Sequence, residues 1–455
     1  VLLAATLLAL SFSALLFQSQ KIAIVAFVLG LGMTVIFLEP FVGLLNYLIF
    51  LYVRPQEFIM ALVGTPVMMI LGAMTIAFTI LHMALKRNPL GLSRAPQNYL
   101  MLWFMLAIAM SHLANVNLHG ATESMRKFLP TFMLFFMITT MITTQRRLRV
   151  FFYLLSILTV FLAGQGIYQY YTGVGIAGQE LFQGRIVSLG IFSDPNDMAL
   201  ALLIVLPFCF REFTERGPII RRAINLVFTI TIITTVFMTD SRGGILSLGV
   251  LTLFVTASKL GWKVGLAVGA IAFAGIFVLG PSRMGTISTD ESSGYARIEA
   301  WTVALELVRS RPIFGVGAQM FTDYHVRTAH NSYLLCVAEL GMFGLFAWVM
   351  LIILSIKNMH YISRYATPQQ NGRLGLYADA IKLGLIGFLC ASMFLSRTYI
   401  EMLFILLAMS VSVTTIFVRN TEGKYKLVEK RDWQMGLLIS IGGLIFMKFF
   451  LIWAW

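Results

Sequence analysis

Stretches of roughly 17 to 25 apolar residues recur along the whole chain, separated by short basic or Gly- and Pro-containing segments. A helix needs about that length to cross the roughly 30 Å of hydrocarbon in a bilayer. Only helices and closed barrels satisfy every backbone polar group there, and a barrel would show short strands of alternating hydrophobicity instead. The class that follows is all-α, a polytopic integral membrane protein. Composition agrees: 58% of the 455 residues are hydrophobic and 12% charged, with a mean hydropathy of +0.84, well outside the range of a soluble domain.

The pattern places spans near 2–17, 21–38, 41–53, 66–85, 97–113, 126–143, 148–171, 196–211, 219–238, 243–257, 262–280, 331–356, 376–396, 399–418 and 436–454, about 14 to 15 transmembrane helices. The opening stretch Val1–Phe17 reads as a span rather than a signal peptide, because it has neither a basic start nor a small-residue cleavage site. The net charge of +14 would suggest nucleic acid in a soluble protein. Here 20 of the 34 Lys and Arg residues fall in alternate connections, near 86–97, 144–149, 211–222, 258–263, 357–375 and 419–434. That asymmetry makes those loops cytoplasmic and excludes a nucleic-acid reading. The expected setting is a bacterial inner (cytoplasmic) membrane, with the other loops facing the periplasm.

Two of the outward segments are too long to be turns: a shorter loop at 172–195 and a long one at 281–329. The whole chain, 1–455, reads as a single polytopic membrane domain with these periplasmic loops, the longer carrying at least one helix at the interface. Cys209, Cys336 and Cys390 lie in or at the edge of apolar spans and read as packing residues. No cluster has metal-ligand spacing, so no metal and no cofactor is expected.

Four outward clusters can carry chemistry. In Gly184–Asn196, Asp194 before Pro195 reads as a helix N-cap, while Arg185 is either a headgroup anchor or a substrate contact. The run Thr239-Asp240-Ser241-Arg242-Gly243-Gly244 is a tight hairpin. Burying an unpaired guanidinium there costs about 2.5–3.5 kcal/mol or more, so Arg242 needs an anion, either Asp240 or a substrate. Arg297 and Trp301 are one helical turn apart, as interfacial anchors or substrate contacts. His330, in Ala329-His330-Asn331-Ser332-Tyr333, stands where the long loop enters the next span, as a cap or as a catalyst. Glu339 lies about 13 Å deeper on the opposite face, too far to touch it; its role is left open.

Arginine's planar fork binds phosphate oxygens bidentately, so several arginines at one membrane face suit a diphosphate whose lipid tail stays in the bilayer. Guanidinium groups around His330 would disfavour imidazolium and leave a neutral imidazole able to accept a proton from a hydroxyl. The arginines could stabilise the leaving group without a metal.

From about Gly184 to Gly344 the sequence resembles the superfamily of O-antigen ligases and O-antigen polymerases, bacterial membrane glycosyltransferases. The resemblance rests on Arg185–Asn196, on Ser241-Arg242-Gly243, on Arg297 and Trp301 followed by Pro312 and Gly315-Val-Gly317, and on His330–Tyr333 with Glu339-Leu-Gly341. The segment Leu51–Glu57 resembles an N-terminal region found in a subset of these proteins, including some linked to exopolysaccharide systems. The resemblance implies a GT-C-like helical fold and an undecaprenyl-diphosphate-linked glycan donor. It further implies lipid A core or a growing glycan as acceptor, and metal-independent, inverting transfer. In that reading Arg185 and Arg242 hold the diphosphate, Arg297 supports them and His330 activates the acceptor. Ligase and polymerase share these motifs. A lipid-linked oligosaccharide flippase or transporter would instead place charges and broken helices at mid-membrane, in halves related by symmetry.

Overall fold

The computed structural model describes residues 32–57, 59, 66–85, 95–279, 291–367, 371–421 and 425–454. They form α1 (Pro40–Val53), α2 (Val67–Leu85), α3 (Pro96–Leu113), α4 (Leu118–Met141), α5 (Gln145–Thr172), α6 (Pro195–Thr214) and α7 (Ile219–Met238). There follow α8 (Arg242–Leu260), α9 (Trp262–Leu279), α10 (Glu291–Ser310), α11 (Ser332–Tyr365), α12 (Leu374–Ser392), α13 (Glu401–Asn420) and α14 (Lys430–Ala454). Among the described residues there is no β-strand, only the isolated bridges Val174–Glu180 and Phe182–Arg185.

Every span expected from residue 41 onward coincides with a helix, and α10 supplies the expected helix in the long loop. The expected spans 2–17 and 21–38 lie outside the described residues apart from a helical stretch at 32–38. Several helices outrun their apolar windows. α4 begins at Leu118 rather than near 126, because Asn117 accepts from the Gly120 N–H at 2.7 Å and caps a charged first stretch in which Arg126 meets Glu123 at 2.9 Å. Backbone hydrogen bonding continues past the hydrocarbon edge even though hydropathy does not.

Among the described residues seven helices, α5, α7, α8, α11, α12, α13 and α14, are long and apolar enough to cross a membrane by length and composition; α1, α2 and α9 contain shorter apolar helices. α4 falls below that mark because of its exposed, charged first stretch, and α3 and α6 because they turn polar groups inward. Gln97, Asn98, Ser111 and His112 of α3 are buried in protein rather than offered to lipid, where a polar side chain is tolerated.

The centre of the bundle is α13, with 83% of its apolar stretch buried, and α11, with 78%; α14 and α7, at 22% and 28%, form the rim. Small residues let α13 lie that deep. Ser410 donates to the Ser355 hydroxyl of α11 at 2.8 Å, and Ser412 donates to the Ile138 carbonyl of α4 at 3.2 Å.

The helix ends gather into two polar layers. At one end the buried Glu212 accepts from Arg373 at 2.7 Å and from the Tyr153 hydroxyl at 3.2 Å, Lys357 meets Asp432 at 2.6 Å, and Arg147 meets Glu39 at 2.7 Å. These residues neighbour or lie in the connections that hold the excess of Lys and Arg. At the other end lie the 173–194 loop, the 239–241 turn, the entry to α11 and the 393–400 connection.

α11 is broken at Gly341, whose φ of 62° and ψ of −170° are open only to glycine. The break is filled by the segment before it. Val316 and Gly317 N–H groups donate to the carbonyls of Ala338 and Glu339 at 3.0 Å, and those of Met342 and Phe343 donate to Pro312 at 2.9 Å and Ile313 at 3.0 Å. A Cβ at Gly341 would collide with the Ile313 carbonyl. The sequence run 312–317 is thus a backbone clasp for α11, and Glu339, whose role was open, completes it. Buried, it accepts from the Phe321 N–H at 3.2 Å and from the Tyr399 hydroxyl at 2.7 Å.

Candidate functional site

The 173–194 loop is held from below by two glutamines one helical turn apart on α5. Gln169 accepts from the Val187 N–H at 2.7 Å and donates to the carbonyls of Gln179 and Glu180 at 3.1 and 3.2 Å. Gln165 accepts from the Ser188 hydroxyl at 2.7 Å. Both side chains are buried; Gln169 satisfies loop backbone groups that would otherwise be unpaired, and Gln165 satisfies a loop hydroxyl. The loop closes with reciprocal backbone bonds between Phe182 and Arg185, at 2.9 and 3.1 Å. Tyr52, at the end of α1, packs against Phe192 with ring centroids 5.1 Å apart. The early segment Leu51–Glu57 therefore belongs to this end of the molecule.

So placed, the Arg185 guanidinium reaches the 239–241 turn. Its Nε donates to the Thr239 carbonyl at 3.0 Å and its Nη2 to Asn196 Oδ1 at 3.3 Å. Asn196 Oδ1 also accepts from the Ser241 hydroxyl at 2.7 Å, and Ser241 caps α8 by accepting from the Gly244 N–H at 3.1 Å. Gly244 packs against Ala199 so closely that a Cβ there would sit 2.8 Å from the alanine's. The Ser-Arg-Gly-Gly sequence is therefore explained locally by a cap and a close helix contact. Arg242, at the first position of α8, is exposed. The cost of burial expected from the sequence does not arise from protein packing, since its side chain opens onto this end.

His330 sits opposite. Asn331 caps α11, accepting from the N–H groups of Tyr333 and Leu334 at 3.0 and 3.1 Å. Ser332 is tied to the 393–400 connection by donating to the Leu395 carbonyl at 2.5 Å and accepting from the Arg397 N–H at 2.8 Å. On the other side the Trp301 indole donates to the Ala329 carbonyl at 2.8 Å. Trp301 thus anchors α10 to the residue before His330, and the same helix carries Arg297 one turn earlier. Arg297 is half-buried, and burial together with the neighbouring charge of Arg242 disfavours its guanidinium. His330 is half-buried too. Burial, followed by the charges of Arg297, Arg397 and Arg327, pushes its pKa below the ordinary imidazole value, with Asp194 opposing.

The four sequence-derived residues accordingly meet at one end. Arg242, Arg297 and His330 share one electrostatic neighbourhood, and Arg185 joins it through Asn196 and Ser241. Sequence reasoning missed Arg397. Its Nε donates to Asp197 Oδ1, and its Nη2 lies 3.7 Å from Asp194. Asp194 is the N-cap expected of it, accepting from the Asn196 N–H at 2.7 Å, whereas Asp197 is an ion-pair partner as well as a first-turn acid. The signal was present: Ser396-Arg397-Thr398 breaks two apolar spans much as Ser241-Arg242-Gly243 does. The cysteines are free, Cys209 and Cys336 buried and Cys390 half-buried, as packing residues would be.

Residues 227–349 match the model of a family described as O-antigen ligase. That stretch runs from α7 to the middle of α11 and takes in Arg242, Arg297, His330 and the Glu339–Gly341 clasp. Over that stretch the chain is similar to the O-antigen ligase family. A comparison with curated proteins finds no match. The match supports an O-antigen ligase-like activity on lipid-linked glycans for this multi-pass membrane protein. Arg185 and Arg397 lie outside the matched stretch, yet both lean on it, through Thr239 and Ser332 respectively.

Proposed function

We propose that this O-antigen ligase-family protein transfers a glycan from an undecaprenyl-diphosphate carrier to an acceptor hydroxyl, at a site facing the periplasm from the bacterial inner membrane. The chain acts as one polytopic, GT-C-like membrane domain whose 172–195 and 281–329 loops share that side. Arg185, Arg242 and Arg297 hold the donor diphosphate, and His330 is the general base. The observation that carries the reading is the meeting of these arginines with a histidine whose neutral form is favoured by burial and by cationic neighbours.

The chemistry follows from that arrangement. The neutral imidazole takes the proton of the acceptor hydroxyl as its oxygen attacks the anomeric carbon, and the bond to the diphosphate breaks on the opposite face. A single displacement inverts the anomeric centre. The diphosphate leaves with its lipid, its charge met by guanidinium groups, so that the step does not require a metal. With lipid A core as acceptor the protein is a ligase; with a growing glycan it is a polymerase.

In a reconstituted transfer assay, H330A is expected to lose turnover while expression and donor binding persist. R242K is expected to lose donor affinity strongly, because a point charge cannot reproduce the planar fork. Retained turnover in H330A removes the base role, and wild-type donor affinity in R242K removes the cradle. Surface polysaccharide from a deletion strain separates the two acceptors: bare core marks a ligase, single repeats on the core a polymerase.

A further inference from the structure

Between α10 and the 322–327 stretch that leads to His330 lies a cavity of about 590 Å³. Glu299, Thr322, Asp323, Tyr324, His325 and Arg327 line it. We propose that this cavity is the acceptor subsite and binds the terminal sugars of a glycan, separately from the arginines that hold the donor. The inference rests on the transfer reading above and deepens it.

Charge separates the two places. The donor end is cationic, with Arg185, Arg242 and Arg297. The cavity carries two carboxylates, Glu299 and Asp323, against one guanidinium, Arg327. A diphosphate is repelled by that lining, whereas a polyhydroxylated, weakly charged ligand finds both acceptors and donors. Tyr324 is 54% exposed at the wall, and its ring is suited to the C–H side of a pyranose. The volume falls within the range of about 300–1,000 Å³ common for organic ligands.

The wall is also built rather than incidental. The His325 imidazole is fixed by the Arg327 N–H, which donates to Nδ1 at 3.1 Å, and its Nε2 lies 3.9 Å from Glu299. The 3-10 turn Phe321–Asp323 is anchored through Phe321 to Glu339. Two residues tie the cavity to the base. Arg327 lines the wall and contributes to the field at His330, and Trp301, on the α10 helix that forms one side, holds the Ala329 carbonyl. A sugar seated here would present a hydroxyl to an imidazole a short way along the chain.

The test is saturation-transfer NMR on the full chain in detergent micelles, with a panel of soluble di- and trisaccharides ending in hexose, deoxyhexose or amino sugar. Binding of at least one sugar to the wild type, weakened by about tenfold or more in Y324A and in D323N, is the expected result. H330A is expected to keep that binding. Absence of any sugar binding to the wild type, or binding untouched in both cavity variants, overturns the subsite. Turnover provides an independent readout: if H330A abolishes transfer while Y324A and D323N leave the acceptor KM unchanged, the transfer reading stands and the cavity assignment fails. Correct folding of each variant is checked by gel filtration and circular dichroism.

Discussion

His330 has a φ of 48°, in the left-handed region that few non-glycine residues occupy. It is held there by its neighbours, Ala329 through Trp301 and Asn331 through the cap of α11. Strained backbone of this kind persists only when surrounding contacts over-determine it, and it gathers at functional sites. The charges around it give a directional expectation. A base that must be neutral loses activity as pH falls through its pKa, so the acid limb of the kcat/KM profile should lie below the ordinary value near 6.5. R297Q removes one of the cationic neighbours, which stabilises imidazolium and raises the pKa. We therefore expect its acid limb to move to higher pH than that of the wild type. A profile that does not move would show that Arg297 does not act on His330. At this scale the motif residues were legible in the sequence because arginine and histidine in an apolar chain are conspicuous. Asp197 was not, because an acid in the first turn of a helix is explained by the helix alone; its bond to Arg397, 200 positions away, is a tertiary fact.

Among the elements, α11 shows most clearly how a local sequence serves a distant one. The glycine at 341 permits a break, and the four backbone hydrogen bonds of the clasp satisfy the groups that the break exposes. Replacing it with alanine imposes a Cβ where φ is 62° and where the Ile313 carbonyl already sits. We expect G341A to destabilise the protein by about 3 kcal/mol or more, combining backbone strain with the clash. Thermal unfolding in detergent would register this as a large drop in midpoint. G164A, whose added Cβ meets nothing within 4 Å, is the control and should unfold near the wild type. A midpoint for G341A equal to that of G164A would mean the clasp does not hold the helix.

For the whole molecule the strongest regularity is the sorting of polar groups to two ends. The 173–194 loop, the 239–241 turn, α10, the entry of α11 and Arg397 share one end, and the Glu212 and Asp432 networks the other. The excess of basic residues near the second end predicts that it faces the cytoplasm. Val326, 97% exposed in the long loop, and Arg216, exposed between α6 and α7, test this. V326C should react with a membrane-impermeant maleimide in spheroplasts, and R216C only after permeabilisation. Labelling in the reverse order would invert the orientation and put the site on the wrong side for a periplasmic transfer.

Apolar length alone determined that this chain is a bundle of membrane helices, and from Pro40 onward it located them, because hydrocarbon leaves a backbone no other way to satisfy itself. Charge counting along the connections likewise divided the loops between two sides. Helix ends were not readable, since hydrogen bonding runs past the hydrophobic window into charged turns such as the start of α4. Nor could the sequence show that α3 turns Gln97 and His112 into the protein, that Gln165 and Gln169 carry a loop, or that Arg397 pairs with Asp197. Those are contacts between residues far apart in the chain. They depend on which helix packs against which, and periodicity within one segment carries no record of that.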